Sequence, residues 1–128
     1  MKVWKKVVVD ASKNGEFKSK YYWVDKDTNL MWQLQETDEQ YKWDFIDKVS
    51  EKLNNQKFGG FDDWRVPTID EFKTILLKDR IKDRTYWSSS TVSNNTGYAW
   101  IVNFNIGDVS YSDKKANHYI CCVRRVGE

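Results

Sequence analysis

The sequence is poor in the residues that build metal sites, disulfide frameworks and linkers. Its 128 residues include one histidine, two cysteines, one proline and six glycines. Because a zinc site needs several His or Cys ligands and His118 stands alone, we predict neither a metal site nor a cofactor. The low proline and glycine content excludes collagen-like and linker-like chains. No apolar run approaches the roughly 20 residues that cross a bilayer, so we predict no membrane-spanning helix.

Charge is nearly balanced over the whole chain but is unevenly placed along it. The 21 basic and 19 acidic side chains give a formal net charge of +2, which argues against a nucleic-acid-binding domain. The first 20 residues nevertheless contain six lysines. With Val3, Val7 and Val9 among these lysines, this segment predicts a lysine-protected first strand, and an arm that binds polyanions is the alternative. Its apolar patch ends at Asp10, so we expect a strand there rather than an export signal.

Aromatic residues are abundant, with 7 Trp, 7 Tyr and 6 Phe. We therefore expect a single domain over residues 1–128 whose core is built largely from rings. Aromatic runs at 21–24 and 30–33 flank a polar stretch and predict a β-hairpin. The alternation of Asp25 and Asp27 is typical of calcium loops, but no glycine or later glutamate completes such a loop. We expect a plain turn there.

Two capping boxes predict two helices. Thr37 and Gln40 open the first helix, which runs to about Gln56. Thr68 and Glu71 open the second. The apolar residues that recur at helical spacing are Phe45, Ile46, Val49 and Leu53 in the first helix, and Ile69, Phe72, Ile75 and Leu76 in the second.

The segment between the two helices carries an arginine that we expect to be half-buried rather than exposed. Arg65 lies between Trp64 and Pro67, and a buried guanidinium must be paired. The acidic partners available nearby are Asp62, Asp63 and Glu71. This pattern predicts a structural ion pair, and a catalytic clamp is the alternative.

The last forty residues predict a β-rich segment. The expected strands are 86–91, 98–104, 109–112 and 119–126, the last of which closes the sheet. In the second of them, Trp100, Val102 and Phe104 alternate onto one face. Gly107 can adopt the positive φ that a tight hairpin turn requires.

The two cysteines, Cys121 and Cys122, are neighbours in the sequence. A disulfide between neighbours needs a strained peptide, because half-cystines normally lie about 4.4–6.8 Å apart at Cα. In a strand, adjacent side chains also point to opposite faces. We therefore predict two reduced thiols, which suit a reducing compartment.

Five short motifs occur in the order in which one known family carries them. They are Asn29-Leu30-Met31-Trp32-Gln33, Asp63-Trp64-Arg65-Val66-Pro67-Thr68, Tyr86-Trp87-Ser88-Ser89, Ala99-Trp100-Ile101-Val102-Asn103-Phe104 with Gly107, and Cys122-Val123-Arg124. Over about residues 20–125 the chain resembles the Lcl C-terminal domain, the C-terminal domain of a bacterial collagen-like adhesin whose relatives are mostly of unknown function. The resemblance implies an α+β, C-type-lectin-like fold, similar also to the formylglycine-generating enzyme. In such a fold two helices pack on a small, twisted, mostly antiparallel sheet with long loops.

The chain departs from the family pattern at three places. Relatives often carry a cysteine in the first helix that pairs with the terminal-strand cysteine, but alignment on Trp43 places Ser50 there. Cys122 has therefore lost that partner. Cys121 stands where relatives often have another residue. The loop and strand motifs of calcium-dependent lectins are absent, and the nearest fragment is Asn103-Phe104-Asn105, so we expect any sugar binding to be independent of calcium.

The resemblance implies a non-catalytic recognition module that binds a glycan, such as a sulfated polysaccharide, or a protein partner through its loops. The candidate ligand contacts are Asn94, Asn95, Tyr98, Asp108, Tyr111, Lys114 and Lys115. The candidate structural residues are Trp64, Arg65, Pro67, Trp87, Trp100 and Arg124. We expect loop 92–97 and the turns at 105–108 and 113–117 to bring the ligand candidates together at one end of the sheet.

Two other functions stay open at this point. One is a structural subunit of a surface or phage-type assembly. The other is a relative of the formylglycine-generating oxidase, which needs a reactive cysteine pair or copper thiolates in an open pocket. Because Cys121 and Cys122 would not face one another in a strand, we predict that the protein is not an enzyme. Relatives are often exported, so the compartment stays open as well.

Overall fold

The aromatic hairpin predicted from the sequence forms the middle of an antiparallel sheet. The computed structural model describes residues 10–11, 17–34 and 38–127, and within them this sheet has the strand order β1-β2-β3-β4-β8. The strands are β1 (Asp10–Ala11), β2 (Phe17–Lys18), β3 (Tyr22–Asp25), β4 (Leu30–Gln33) and β8 (Val123–Arg125). The hairpin is confirmed, since Trp23 of β3 pairs with Trp32 of β4. The strand expected around Val3, Val7 and Val9 lies outside the described residues.

A second antiparallel sheet follows the helices in the described part of the chain. Its strands are β5 (Thr85–Thr91), β6 (Tyr98–Asn103) and β7 (Asp108–Asp113), in the order β5-β6-β7. The chain therefore has an α+β fold, as predicted, but its strands form two sheets rather than one. The segment expected to close a single sheet instead joins the two, because the Trp87 N–H donates to the Tyr119 carbonyl and the Gln33 N–H to the Cys122 carbonyl.

The strands β3 and β4 are buried on both faces, which explains why they do not alternate with polar residues. We call the two resulting clusters the α1-side core and the α2-side core. The α1-side core contains Tyr22, Val24, Met31, Ile46, Leu53, Phe58, Trp64, Val66, Trp87, Ala99, Ile101, Ile120 and Cys122. The α2-side core contains Trp23, Leu30, Trp32, Ile69, Phe72, Ile75, Ile81, Tyr86, Val102, Cys121 and Val123. Successive strand residues enter different cores because side chains alternate across a strand.

The first helix begins later than the sequence predicts. The α-helix α1 spans Ile46–Asn55 and follows a 3₁₀ turn at Trp43–Phe45. Thr37 of the expected capping box lies outside the described residues. Backbone hydrogen bonds in both directions between Tyr41 and His118, of 2.8 and 3.0 Å, hold the residues before the turn in an extended conformation. Such long-range pairing overrides the local helix signal.

The apolar face predicted for α1 is correct except at its first residue. Ile46 and Leu53 are buried and Val49 is half-buried, but Phe45 is 44% exposed. Phe45 precedes the α-helix, so the 3.6-residue spacing does not yet apply to it.

The capping box predicted for the second helix is confirmed. The α-helix α2 spans Ile69–Lys73, and its Thr68 side chain accepts a hydrogen bond from the Glu71 N–H while the Glu71 carboxylate accepts one from the Thr68 N–H. Ile75 is buried although it lies beyond the end of the helix. None of the helices in the described residues is long and apolar enough to span a bilayer.

Arg65 is paired as predicted, but it is more exposed than expected. Both of its terminal nitrogens lie 2.7 Å from the two carboxylate oxygens of Glu71, and 44% of the Arg65 side chain is exposed. Burial raises the pKa of Glu71, but the hydrogen bonds from Arg65 and Thr68 outweigh it, so this pKa lies below its ordinary value. The ion pair with Arg65 holds the Glu71 carboxylate in the position in which it caps the Thr68 N–H, which is a structural role.

The other residues predicted to be structural also make specific contacts. Pro67 is fully buried, and its carbonyl accepts from the Ser89 N–H. Trp87 is fully buried and donates to the Tyr41 carbonyl over 2.6 Å. Arg124 forms an ion pair with Asp63 and lies 3.8 Å from the ring centroid of Phe61.

The two cysteines are free thiols, as predicted, and both are buried. Cys122 lies in the α1-side core and Cys121 in the α2-side core, which agrees with the expectation that adjacent side chains point to opposite faces. The Cys121 thiol donates to the Gln33 carbonyl, and the Cys122 N–H donates to the Gln33 side-chain oxygen.

Candidate functional site

A cleft of about 410 Å³ opens at one end of the β5-β6-β7 sheet. Its lining residues are Val92, Asn94, Asn95, Tyr98, Trp100 and Tyr111. Four of the seven predicted ligand contacts are among them, namely Asn94, Asn95, Tyr98 and Tyr111. Ligand sites in proteins are commonly concave and combine apolar surface with polar groups, and this cleft combines aromatic and aliphatic side chains with amides and phenols.

Strand register brings the three aromatic side chains of the cleft together. Tyr98 and Trp100 lie two residues apart on β6 and therefore share a face of the sheet. Tyr111 on β7 is the register partner of Trp100 and lies on the same face. The ring of Tyr111 meets Tyr98 at 71° and Trp100 at 86°, with both centroid distances 5.7 Å. Edge-to-face pairs of this kind favour a fixed ring arrangement.

The face of β6 that carries Tyr98 and Trp100 is buried at the far end of the strand from the cleft. Val102, two residues after Trp100, is fully buried in the α2-side core. Trp100 packs against that core and also lines the cleft, so it joins the rigid interior to the open surface. Tyr111 is 58% exposed. The sheet face therefore changes from core to solvent along the length of one strand.

A bulge in β5 lies beside the cleft. The register between β5 and β6 shifts between Trp87 and Thr91, which marks a β-bulge or irregularity. The buried Ser88 hydroxyl donates to the Trp100 carbonyl over 2.7 Å, and it accepts from the Ser90 N–H. Bulges redirect side chains next to functional sites. The Ser88 hydroxyl therefore holds the backbone of Trp100 next to the bulge.

The amide side chains of the cleft lie on a loop closed by backbone hydrogen bonds. The Val92 N–H donates to the Tyr98 carbonyl, the Asn95 N–H to the Val92 carbonyl, and the Tyr98 N–H to the Asn95 carbonyl. Gly97 accepts from the Lys114 N–H, which links the loop to the turn after β7. Asn94 and Asn95 are thus carried on a short, well-defined loop next to the rings.

The expectation that all three connections share one end of the sheet is wrong. Tyr98 pairs with Asp113 at the cleft end, whereas Asn103 pairs with Asp108 at the opposite end. A ladder of this length places Asp108 about 17 Å from the Tyr98 end, because antiparallel strands rise about 3.4 Å per residue. Asp108 and turn 105–108 are therefore not part of the cleft.

The two predicted lysine contacts lie next to the cleft but do not line it. The ammonium group of Lys114 lies 4.0 Å from the ring centroid of Trp43. The Trp43 indole N–H in turn donates to the Ser88 carbonyl. Lys115 is exposed, and its backbone N–H donates to the Asp113 carboxylate.

Sequence reasoning missed two lining residues, Val92 and Trp100. The sequence analysis predicts only a structural role for Trp100, although its position two residues from Tyr98 in a strand indicates that both rings share a face. Val92 follows the bulged strand, and nothing local in the sequence distinguishes it from a core valine.

His118 lies apart from the lining of the cleft, in a partly buried position. Its ring meets Trp87 edge-on at a centroid distance of 4.6 Å, and Nε2 lies 2.9 Å from the Ser112 hydroxyl oxygen. Burial lowers the pKa of His118 below its ordinary value. Among the described residues, no group of three or more His, Cys, Asp or Glu side chains could hold a metal ion.

His118 should make the stability of the protein depend on pH. Because its pKa is lower in the fold than in the unfolded chain, unfolded molecules bind more protons as the pH falls below about 6.5. The His118 contribution is therefore complete above that pH and is lost below it. Urea midpoints at neutral and mildly acidic pH should differ less for His118→Gln than for the parent protein. An equal or larger difference in the variant would contradict this prediction.

Comparison with known proteins identifies the family of this chain. No protein of curated function matches it. The profile of the Lcl C-terminal domain matches residues 21–124, which include both helices, strands β3 to β7 and the lining of the cleft. The chain therefore belongs to the Lcl C-terminal domain family.

Proposed function

We propose that this domain is a non-catalytic recognition module that binds a glycan in the cleft formed by β6, β7 and loop 92–97. The observation that carries the proposal is the group of three rings, Tyr98, Trp100 and Tyr111, which opens to solvent from a rigid sheet. Aromatic side chains offer a large contact area at low cost in conformational entropy. The neighbouring amides can both donate and accept hydrogen bonds, as sugar hydroxyls do.

The proposal requires no calcium. Among the described residues, those that line the cleft supply amide and phenol groups and no carboxylate. Calcium sites in proteins need six to eight oxygen ligands, several of them carboxylates. Sugar hydroxyls would instead bind directly to Asn94 and Asn95. The C-type-lectin-like arrangement implied by the family resemblance is part of this proposal.

The positions of the thiols support a non-catalytic role. Cys121 and Cys122 are both fully buried, and they enter different cores. An oxidase of the formylglycine-generating type needs thiolates that reach substrate or copper in an open pocket. The cleft contains aromatic, aliphatic and amide side chains, so binding rather than bond breaking is the chemistry that it supports.

Removing one exposed ring should strongly weaken glycan binding without unfolding the protein. We expect Tyr111→Ala to lose its signal on a glycan array by about tenfold or more, because stacking contacts in such sites carry much of the binding energy. Tyr111 is 58% exposed, so the substitution leaves no internal cavity. Binding measured for the parent protein and for the variant, at matched concentration, checks the prediction.

The same hairpin supplies the matched control for this experiment. Ile106 is 73% exposed in the turn at the far end from the cleft. Ile106→Ala removes a similarly exposed apolar side chain and should leave array binding unchanged. Equal loss in both variants, or full retention in Tyr111→Ala, would contradict the assignment of the site.

A further inference from the structure

The cleft is uncharged where it would contact a ligand. Among the described residues, its lining consists of two amides, two phenols, one indole and one valine. Amides and phenols donate and accept hydrogen bonds, and this matches hydroxyl groups, which also do both. A sulfate group only accepts hydrogen bonds and carries a charge that would lose its hydration on entering such a site. The lining therefore favours a neutral ligand.

The side chain of Lys114, which directly follows β7, is already engaged. The Lys114 ammonium group lies over the ring of Trp43, at 4.0 Å from its centroid. Trp43 is fixed by the hydrogen bond from its indole N–H to the Ser88 carbonyl. A sulfate that recruited Lys114 would have to break the cation–π contact first. Lys114 therefore contacts Trp43 and is not among the residues that line the cleft.

A carboxylate lies on the sheet face that carries the rings. Asp113 is the register partner of Tyr98, and it lies two residues from Tyr111 on β7. Both relations place it on the same face of the sheet as these two rings. Its side chain is exposed and accepts a hydrogen bond from the Lys115 N–H. Its negative charge would disfavour an anionic ligand beside Tyr98.

We propose that the ligand in the cleft is an uncharged sugar ring, so that the domain recognises a neutral saccharide rather than a sulfated polymer. This inference rests on the proposed function. The exposed ring of Tyr111 meets the rings of Tyr98 and Trp100 edge-to-face, and the three rings together form one aromatic surface. The electron-rich face of an aromatic ring attracts the polarised C–H groups on one face of a pyranose. The hydroxyl groups at the edge of that pyranose then reach the amides of Asn94 and Asn95.

An array that carries neutral and sulfated glycans side by side tests this inference. The probes are neutral glucans, galactans, mannans and N-acetylhexosamine oligomers, next to heparin and dextran sulfate. We expect binding to at least one neutral glycan, and equal binding in low and high salt because screening acts on charges. We also expect Tyr111→Ala and Asn95→Ala each to reduce that signal by about tenfold.

Three control variants separate the cleft from the rest of the surface. Ile106→Ala and Asn105→Ala alter exposed residues in the turn at the opposite end of the same hairpin and should leave binding intact. Lys114→Glu combined with Lys115→Glu removes the neighbouring cations. This double variant should also keep its binding to the neutral glycan, because neither ammonium group lines the cleft.

The outcomes distinguish this inference from the function on which it rests. Binding only to heparin and dextran sulfate, lost in high salt and in the double lysine variant, would overturn the inference and leave glycan recognition standing. Absence of binding to every glycan would overturn both. Binding of a proline-rich peptide that Tyr111→Ala abolishes, with no glycan bound, would also overturn both and would identify the cleft as a peptide site.

Discussion

Trp64→Ala should lower the free energy of unfolding by about 3–5 kcal/mol, which is typical for truncation of a buried aromatic side chain. Trp64 is 2% exposed and lies in the α1-side core, where its ring meets Phe58 edge-on at 5.3 Å. Its backbone N–H and carbonyl are both bound by the Asn54 side chain near the end of α1. Trp64 thus links α1 to the segment between the two helices through these hydrogen bonds. Urea denaturation of the parent protein and the variant measures the loss.

Trp64→Phe separates the ring from its polar group. The indole N–H donates to the Phe58 carbonyl over 2.9 Å, and that carbonyl also accepts from the Phe61 N–H. Because the carbonyl keeps one partner, loss of the indole donor should cost only about 1 kcal/mol beyond the reduced packing. As a control, Phe45→Ala truncates a ring that is 44% exposed and should cost much less than Trp64→Ala. Similar costs for Phe45→Ala and Trp64→Ala would contradict the packing argument.

The parts of the fold that depend on neighbouring residues could be predicted from the sequence. The hairpin follows from two aromatic runs around a turn, and the start of α2 follows from Thr68 and Glu71. The start of α1 could not be found in this way. It is set by hydrogen bonds between Tyr41 and His118, which are far apart in the chain. Local propensity is a weak signal where tertiary pairing decides the conformation.

Part of the candidate site could be predicted from the sequence. Asn94, Asn95, Tyr98 and Tyr111 are candidates from the sequence because amides and phenols in or beside the loops of a sheet suit contacts with hydroxyl groups, and all four line the cleft. Asp108 lies outside the cleft because successive hairpin connections of an antiparallel sheet lie at opposite ends, so the turn between β6 and β7 lies opposite loop 92–97. The position of Lys114 and Lys115 outside the lining could not be predicted for another reason. The contact of Lys114 with Trp43 joins distant parts of the sequence, and no local pattern indicates it.

The turn of the first hairpin provides the second large effect. Asp25 is 2% exposed, and its carboxylate accepts hydrogen bonds from the Thr28 hydroxyl, the Asp27 N–H and the Lys78 ammonium group. The Lys78 to Asp25 distance is 2.8 Å. Burial lowers the pKa of Lys78, but the hydrogen bonds to Asp25 and Asp27 outweigh it, so this pKa lies above its ordinary value. The plain turn predicted from the sequence is confirmed, with a partner that the sequence did not reveal.

Lys78→Met should cost about 3 kcal/mol, because removing one partner of a buried ion pair leaves the other charge uncompensated. The figure lies at the low end for such changes because 29% of the Lys78 side chain is exposed and Asp25 keeps two other donors. Thermal or urea unfolding of the variant against the parent protein measures this cost. The methionine side chain keeps most of the apolar packing of the lysine stem, so lost packing contributes little.

Asp27→Asn is the matched control, because it removes the other carboxylate that binds the same ammonium group. Asp27 lies 2.7 Å from Lys78, but 71% of its side chain is exposed. An exposed ion pair contributes little to stability, so this variant should be nearly as stable as the parent protein. Combining Lys78→Met with Asp25→Asn should recover part of the loss, since no charge is then buried without a partner. Equal costs for Lys78→Met and Asp27→Asn would show that Asp25 does not depend on Lys78 for its burial.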